Sequence, residues 1–217
     1  MITHRLGVVE YQAALDLQKR LVEDRRAGAI EDTLLLLEHP PVITLGVRAK
    51  TSSSHIIASP EVLAEAGVTV FEAGRGGDVT YHGPGQLVGY PIFDLRPDRC
   101  DVHQYVRDLE EALIIALRHF GVAGTRVQGL SGVWVGPPGR EEKIAAIGVR
   151  ISRWITSHGF ALNVATDLSH FQLIVPCGIA DRGVTSLERV LGRNVPEAAV
   201  EDAVVRGVEE VFLTATR

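Results

Sequence analysis

The sequence predicts a mixed α/β protein in which a mixed sheet is flanked by helices. Short apolar runs typical of strands alternate with longer segments whose apolar residues recur at helical spacing. These segments interleave irregularly, without strict strand–helix alternation, which favours a mixed fold over a doubly wound parallel sheet. With 217 residues, 46% of them hydrophobic, the chain is long enough to fill one sizeable core. We therefore expect one domain over residues 1–217, with a small helical part from about residue 185.

Helix signals come first in the chain. Residues 8–26 place apolar side chains among charged ones, as an amphipathic helix does. Ser59 and Pro60 open a short helix, because Ser caps the first turn and Pro is tolerated within it. Asp101 caps a long helix that runs to about Phe120. Its apolar stripe consists of Val102, Tyr105, Leu109, Leu113 and Leu117.

Strand signals lie between and after these helices. They are runs of apolar and β-branched residues bounded by Gly, Pro or charged residues. In the first half they cover residues 33–38, 42–46, 68–71, 79–81 and 87–95. In the second half they cover residues 132–135, 144–152 and 155–163. An apolar segment at 172–178 then leads to two closing helices, at 185–191 and 196–213.

Composition excludes several classes of protein. The net charge of −5 gives no basic field for nucleic acid. No apolar run reaches the roughly 20 residues of a membrane helix, and the first residues lack a signal sequence. We expect a cytoplasmic protein that binds neither nucleic acid nor membrane. The two cysteines, Cys100 and Cys177, are not spaced for a metal, so no metal site is expected.

Residues 75–86 (Arg-Gly-Gly-Asp-Val-Thr-Tyr-His-Gly-Pro-Gly-Gln) are the most informative stretch. Glycines leave backbone amides uncovered, and Arg75, Asp78, His82 and Gln86 place polar side chains among them. Such a cluster more often forms a glycine-rich hairpin that binds no ligand. The polar side chains favour a binding site here.

Cys177 and Lys143 are the candidate reactive residues. Cys177 lies in Val-Pro-Cys-Gly-Ile, where Gly178 leaves amides open towards an oxyanion. Lys143 precedes an uncharged strand, and contact with an apolar wall would lower the pKa of its amine and make it a base. From residue type alone, Cys177 is more often a buried structural cysteine, and Lys143 is more often a solvated residue at the end of a strand. Cys100 is flanked by charged residues and is expected to be structural or incidental.

Histidine is the usual partner of a catalytic cysteine, so His82 and His158 remain alternative bases, whereas His39 is predicted to be a loop residue. Neither a Gly-x-Ser-x-Gly elbow nor a phosphate-binding loop is present, and Val79 stands where a dinucleotide fingerprint has its third glycine. Nucleotide binding therefore has little support.

Four motifs together resemble the octanoyltransferase family, also called lipoyl(octanoyl) transferase or lipoate-protein ligase B. They are residues 75–86, Lys143-Ile-Ala-Ala-Ile-Gly148, His158-Gly-Phe-Ala-Leu-Asn163 and Ile174-Val-Pro-Cys-Gly-Ile179. The resemblance runs from about Leu34 to Leu187. It implies a biotin-protein-ligase-like fold and transfer of an octanoyl group from acyl carrier protein to lipoyl-domain lysines, with no cofactor.

The same resemblance implies roles for individual residues. Cys177 would hold the acyl group as a thioester, and Lys143 would lower the pKa of its thiol. The acceptors would be lipoyl domains of 2-oxoacid dehydrogenase complexes and the glycine cleavage H protein. The acyl and pantetheine site would be lined by Arg75, Gly76, Gly77, Asp78, Val79, Thr80, Tyr81, His82, Ala146, Ile147, Gly148, Gly159, Phe160 and Ala161.

Further expectations concern selectivity and docking. An apolar slot formed by Ile147, Phe160 and Ala161 against the glycine-rich loop would select chain length. The acidic carrier protein would dock on local cations, for which the candidates are Arg48, Lys50, Arg140, Arg150 and Arg153. Three alternatives stay open. They are an ATP-dependent lipoate or biotin ligase on the same fold, a non-catalytic protein of this fold that binds the carrier protein or a lipoyl domain, and a cysteine hydrolase with His82 or His158 as base.

Overall fold

A computed structural model describes residues 1–49, 55–175 and 182–214. Within these residues the strands form a six-stranded and a three-stranded sheet. The strands are β1 (Ile2–Val8), β2 (Thr33–Glu38), β3 (Val42–Leu45), β4 (Thr69–Glu72), β5 (Val79–His82), β6 (Gln86–Ile92), β7 (Val133–Val135), β8 (Glu142–Ser152) and β9 (Ile155–Asn163).

Five α-helices, two of which begin where the sequence places a cap, lie in the described residues. They are α1 (Tyr11–Arg26), α2 (Pro60–Glu65), α3 (Val102–Arg118), α4 (Leu187–Leu191) and α5 (Glu197–Glu209), with a 3₁₀ helix at Leu168–Leu173 and a π-helical turn at Glu210–Thr214. Ser59 accepts a hydrogen bond from Val62 N at the start of α2, and Asp101 accepts one from Gln104 N at the start of α3. Both caps agree with the prediction.

The larger sheet has the strand order β1-β2-β6-β9-β8-β7, and the smaller one β4-β3-β5. Only β1 with β2 and β3 with β4 run parallel, while the other named pairs are antiparallel. The sheets are therefore mixed, as predicted. Long antiparallel pairing of β8 with β9 places two of the sequence motifs side by side.

Helices cover both faces of the larger sheet. On one face, α3 and α5 pack against side chains such as Leu87, Phe160 and Leu162 in the main apolar core. On the other face, Ala14 of α1 packs with Val88 of β6 in a smaller cluster. The smaller sheet has an apolar cluster of its own. This arrangement buries the central strands β6 and β9 on both faces, which explains their continuous burial.

The structure differs from the prediction at two places. Residues 2–8 form strand β1, which the sequence does not signal because this edge strand is mostly exposed and lacks a clean alternation. Val102, predicted to lie on the apolar stripe of α3, is 45% exposed, because the first turn of the helix extends past the core. None of the helices in the described ranges is both long and apolar enough to cross a bilayer.

Candidate active site

A cavity of about 870 Å³, counted with the solvent at its mouth, is bordered by strands of both sheets. Its wall includes the glycine-rich loop, β5, the pocket side of β8 and β9, and Tyr11 of α1. Of the residues predicted to line a site, it contains Arg75, Gly77, Asp78, Val79, Thr80, His82, Lys143, Ala146, Ile147, Gly148, Gly159, Phe160 and Ala161.

Backbone hydrogen bonds fix the glycine-rich loop against both sheets. Val47 N donates to Arg75 O at 3.1 Å, and Gly76 N donates to Val149 O of β8 at 2.8 Å. Gly77 has a φ of +88°, in the left-handed region that favours glycine. A Cβ on Gly46 would lie 2.5 Å from Gly77 O, so this close approach needs glycine as well. The loop is therefore held as a rigid wall.

Arg75 points from this loop into the protein and is only 7% exposed. Its Nη2 donates to Thr44 O at 2.7 Å and to Thr44 Oγ1 at 2.8 Å, and its Nη1 donates to Gly76 O at 3.1 Å. These partners are neutral. Burial lowers the pKa of the guanidinium from its ordinary value. The cavity thus has a cationic side chain in its wall.

A chain of hydrogen bonds leads from Thr44 through His82. His82 Nδ1 lies 2.7 Å from Gln86 Oε1, and Gln86 Nε2 donates to Asn163 Oδ1 at 2.9 Å. Because Gln86 accepts at Oε1, Nδ1 of His82 carries the proton, and Nε2 is left to accept from Thr44 Oγ1 at 3.4 Å. Asn163 Nδ2 completes the chain by donating to Thr185 O at 3.0 Å.

Two further histidines and two tyrosines surround this chain of hydrogen bonds. His39 Nδ1 lies 2.7 Å from Val9 O, so it donates there, and its Nε2 accepts from Tyr90 Oη at 2.8 Å. The ring of Tyr11 stacks near that of His82, with centroids 6.3 Å apart. His39 lies in the loop between β2 and β3, as predicted, and is fully buried there. Its burial comes from the aromatic cluster packed around it.

Burial keeps these histidines neutral. It lowers the pKa of His39 to about 4, partly offset by the bond to Val9 O. Burial, reinforced by the charges of Arg75 and Arg150, lowers the pKa of His158 to about 4. Burial also lowers the pKa of His82 well below its usual value, and the nearby His39 and Arg75 lower it further. Burial raises the pKa of Tyr11 to about 12.

The register of β8 and β9 decides which side chains face the cavity. Ala146 pairs with Ala161, and Gly148 pairs with Gly159, so small residues occupy this face. Ile147 and Phe160, also a pair, border the cavity, but their side chains belong to the main core on the opposite face. The room of the cavity therefore comes from alanine and glycine positions, which include Ala161 of the predicted slot, rather than from Ile147 and Phe160.

Lys143 stands near the start of β8 and lines the cavity. Its Nζ lies 4.6 Å from the centroid of the Trp134 ring. Its backbone N donates to Gly183 O at 2.9 Å, and Thr185 N donates to its carbonyl at 3.0 Å. Residues 183–185 are thus bound to the strand that carries Lys143.

Some predicted residues lie elsewhere. Cys177 falls outside the described residues, as does Lys50. Gly76 and Tyr81 are not among the described residues that line the cavity. Tyr81 is buried in the core of the smaller sheet, and its ring stacks on His170 with centroids 4.9 Å apart. Cys100 is exposed and its Sγ donates to Leu95 O at 3.6 Å, away from this wall.

The candidate docking cations occupy different places. Arg48 lines the cavity, and Arg150 lies beside the glycine-rich loop, where its Nη1 would be 2.5 Å from a Cβ on Gly74. Both are exposed, as are Arg140 and Arg153. Asp78 accepts a hydrogen bond from His55 Nδ1 at 2.7 Å.

Several residues of the wall were not predicted as site residues. They are Tyr11, Tyr90, Ser131, Asn163, Phe171 and Val184. The wall also includes Gln86, His158 and Arg48, which the sequence analysis gives as a polar group of the glycine-rich stretch, an alternative base and a docking cation. Asn163 belongs to a quoted motif and could have been found there. Tyr11 and Tyr90 carry no such signal, because each lies in an ordinary helix or strand pattern.

Comparison with known proteins identifies the family. The model of the family described as "Lipoyl protein ligase A/B catalytic domain" matches residues 10–209 of this chain. An octanoyltransferase of Myxococcus xanthus is 55% identical over 96% of this chain, which spans 58% of that relative's length. An octanoyltransferase of Chloroflexus aggregans is 53% identical, over 98% of this chain and 95% of the relative.

Solved structures show the same fold. A bipartite lipoate protein ligase from Thermoplasma acidophilum superposes with a TM-score of 0.71 and 19% identity, over 98% of this chain and 84% of that one. Biotin protein ligase from Aquifex aeolicus gives 0.54 and 14%, over 97% and 68%. The expected biotin-protein-ligase-like fold is confirmed. The chain belongs to the lipoyl protein ligase A/B catalytic-domain family and, within it, to the octanoyltransferases, which are acyltransferases.

Proposed function

We propose that this chain transfers an octanoyl group from octanoyl-acyl carrier protein to a lysine of a lipoyl domain, through a thioester on Cys177. The observation that carries the proposal is the cavity that joins the glycine-rich loop to Lys143. Gly183 follows Cys177 by six residues in the sequence and is hydrogen-bonded to the backbone of Lys143. This bond holds residues 183–185 against the strand that carries Lys143.

In the first half-reaction the Cys177 thiolate attacks the octanoyl carbonyl. A new C–S bond forms, the bond to the pantetheine sulfur breaks, and Lys143 gives that sulfur a proton. In the second half-reaction Lys143 takes a proton from the incoming lysine amine, which attacks the acyl-enzyme. An amide forms and the Cys177 thiolate leaves. The donor is already an activated thioester, so the reaction needs no ATP.

The partners follow from the same chemistry. The exposed Arg48 at the cavity and Arg150 beside the loop would attract an acidic carrier protein. The Thermoplasma acidophilum ligase was studied with its E2 lipoyl domain, which supports lipoyl domains as acceptors here. The acceptors would include 2-oxoacid dehydrogenase complexes and the glycine cleavage H protein. The proposal also takes residues 1–217 as one catalytic domain and the cytoplasm as its location.

The test is intact-protein mass spectrometry after mixing enzyme with octanoyl-acyl carrier protein in the absence of ATP. We expect one octanoyl adduct on the wild-type enzyme and on Cys100→Ser, and none on Cys177→Ser. Lys143→Met should lower the rate of transfer to a lipoyl domain by about 10²- to 10⁴-fold, because it removes the general base.

The three alternatives give different results. A ligase would transfer octanoate only when ATP is supplied, and a binding protein would form no adduct. A hydrolase would release octanoate faster than it forms the lipoyl-domain amide. An adduct that persists on Cys177→Ser would also overturn the proposal.

A further inference from the structure

Trp134 is a fully buried residue beside the cavity whose role the proposed reaction does not explain. The Nζ of Lys143 lies over its ring, 4.6 Å from the ring centroid. The guanidinium carbon of Arg182 lies 5.9 Å from the same centroid. Its Nε1 has no hydrogen-bond partner within the described parts of the chain. A buried indole usually has such a partner. The contacts with Lys143 and Arg182 are made by the face of the ring.

The position of this ring is fixed from two sides. Backbone bonds in both directions join Trp134 to Thr125, at 2.9 and 2.8 Å. On the other side, Gly132 N donates to the buried Glu110 Oε1 at 3.0 Å. A Cβ on Gly132 would lie 3.4 Å from the Cε of Lys143 and 2.5 Å from Ala145 O. Gly132 thus leaves room for the lysine stem to run along the ring.

From this arrangement we propose that Trp134 is a positioning residue, whose buried ring face holds the Lys143 ammonium at the edge of the cavity. A cation over an aromatic face is attracted by the negative potential of the ring, most strongly for tryptophan and where water is excluded. The lysine stem is long and flexible, and the ring limits the directions that it can take. The inference rests on the proposed function of Lys143 and adds the group that orients it.

Other charges face the same lysine. Arg182 repels an ammonium, but it is paired with Glu141. Glu142 precedes Lys143 in β8 and lies beside Gly183, with its Oε1 2.7 Å from a Cβ built there. In the proposed reaction the Cys177 thiolate favours the ammonium. Since the ring also favours the charged form, its loss should let the ammonium lose its proton at lower pH.

The first test compares Trp134→Leu, which removes the ring, with Trp134→Phe, which keeps an aromatic face. We expect Trp134→Leu to lower kcat about tenfold with KM changed less than about threefold, and Trp134→Phe to recover kcat to within about threefold. The alkaline limb of the kcat–pH profile should move to lower pH in Trp134→Leu, by up to about one unit for a tenfold effect. The matched control is Trp154→Leu, which should leave both unchanged.

The second test does not depend on catalysis. The chain has two tryptophans, so Trp154→Phe leaves Trp134 as the only indole. Its fluorescence should change in a single step as the adjacent lysine titrates, and the step should disappear in Trp154→Phe/Lys143→Met. This measurement also covers the case in which Trp134→Leu does not fold.

The outcomes separate the two ideas. If Trp134→Leu keeps the wild-type kcat and pH profile, or if the fluorescence step persists without Lys143, the positioning role is wrong. If the wild-type enzyme transfers no octanoyl group while the lysine-dependent step is present, the proposed function fails and the contact between lysine and ring stands.

Discussion

The hydrogen bonds of His82 fix which of its ring nitrogens carries the proton. This bears on whether His82 can act as the base of a cysteine hydrolase. Its Nδ1 proton is committed to Gln86, and its Nε2 accepts from Thr44, whose hydroxyl in turn accepts from Arg75. A general base needs a free lone pair within reach of the substrate. Burial also lowers the pKa of this imidazole, which makes it a poor base. His82 therefore suits a structural role better than the role of base in a cysteine hydrolase.

Ala146 is the side chain through which chain-length selectivity can be tested most directly. It lies on the cavity face of β8 and is only partly buried, whereas the nearby Gly77 and Gly148 are less suitable for substitution. Gly77 has a φ of +88°, and a Cβ on Gly148 would lie 3.0 Å from Gly76 O. Larger residues at those glycines would disturb the backbone rather than only fill the cavity.

We expect Ala146→Leu to shift preference from octanoyl to shorter donors. Each methylene excluded from the cavity loses about 0.8 kcal/mol of burial, so two methylenes correspond to roughly a tenfold fall in the ratio of octanoyl to hexanoyl kcat/KM. The ratio would be measured with the two acyl carrier protein thioesters. Ala64→Leu, on the exposed side of α2, is the control. An unchanged ratio in Ala146→Leu would place the acyl chain elsewhere.

At the scale of elements, Asn163 links the end of β9 to the segment that follows Cys177. It accepts from Gln86 Nε2 and donates to Thr185 O, and Thr185 N donates to the carbonyl of Lys143. Through these bonds β6, β9, β8 and residues 183–185 form one connected unit. Movement of that unit would change where Lys143 stands relative to the cavity.

Replacing Asn163 by alanine should therefore reduce both stability and activity. The change removes two hydrogen bonds. It leaves the buried Thr185 carbonyl and one N–H of the Gln86 amide without a partner, although that amide keeps its bond to Tyr81 O, and the loss costs ~2–4 kcal/mol. Urea unfolding would measure that loss, and transfer kinetics at a temperature where the variant is folded would show a fall in kcat. Asn194→Ala provides the comparison, since Asn194 is the other asparagine and is exposed. Wild-type kcat in folded Asn163→Ala would contradict the link.

The sequence predicts elements where local signals are strong. Caps at Ser59 and Asp101 and the apolar runs of β2 and β6 locate helices and strands within a few residues. The sequence does not predict strand β1, because an exposed edge strand has no pattern of buried residues. The motifs predict most of the cavity wall, whereas the bond from Asn163 to Thr185 and the stacking of Lys143 on Trp134 depend on pairing between distant segments. No local pattern contains that information.

At the scale of the whole molecule, three neutral histidines meet where α1 and the two sheets adjoin. His39 follows β2, His82 ends β5, and His158 lies in β9 with a φ of +54°. The rings of His39 and His82 are 5.8 Å apart, and the buried Arg75 lies close enough to lower the pKa of His82 and His158. Protonation of any of them would place a second cation in this buried region. The contacts that join the two sheets should therefore weaken in acid.

We expect the free energy of unfolding to fall as the pH drops from about 6.5 towards 4. The pKa values of His39 and His158 are lowered to about 4, so the unfolded chain binds protons in this range that the folded chain does not. The stabilisation is complete above the unfolded value of about 6.5, and a shift of this size corresponds to on the order of 3 kcal/mol per histidine. Urea unfolding between pH 7.5 and 4.5 measures it. His158→Asn tolerates the left-handed backbone and removes one titrating group, so its stability should depend less steeply on pH. Equal slopes for this variant and the wild-type protein would show that His158 does not contribute.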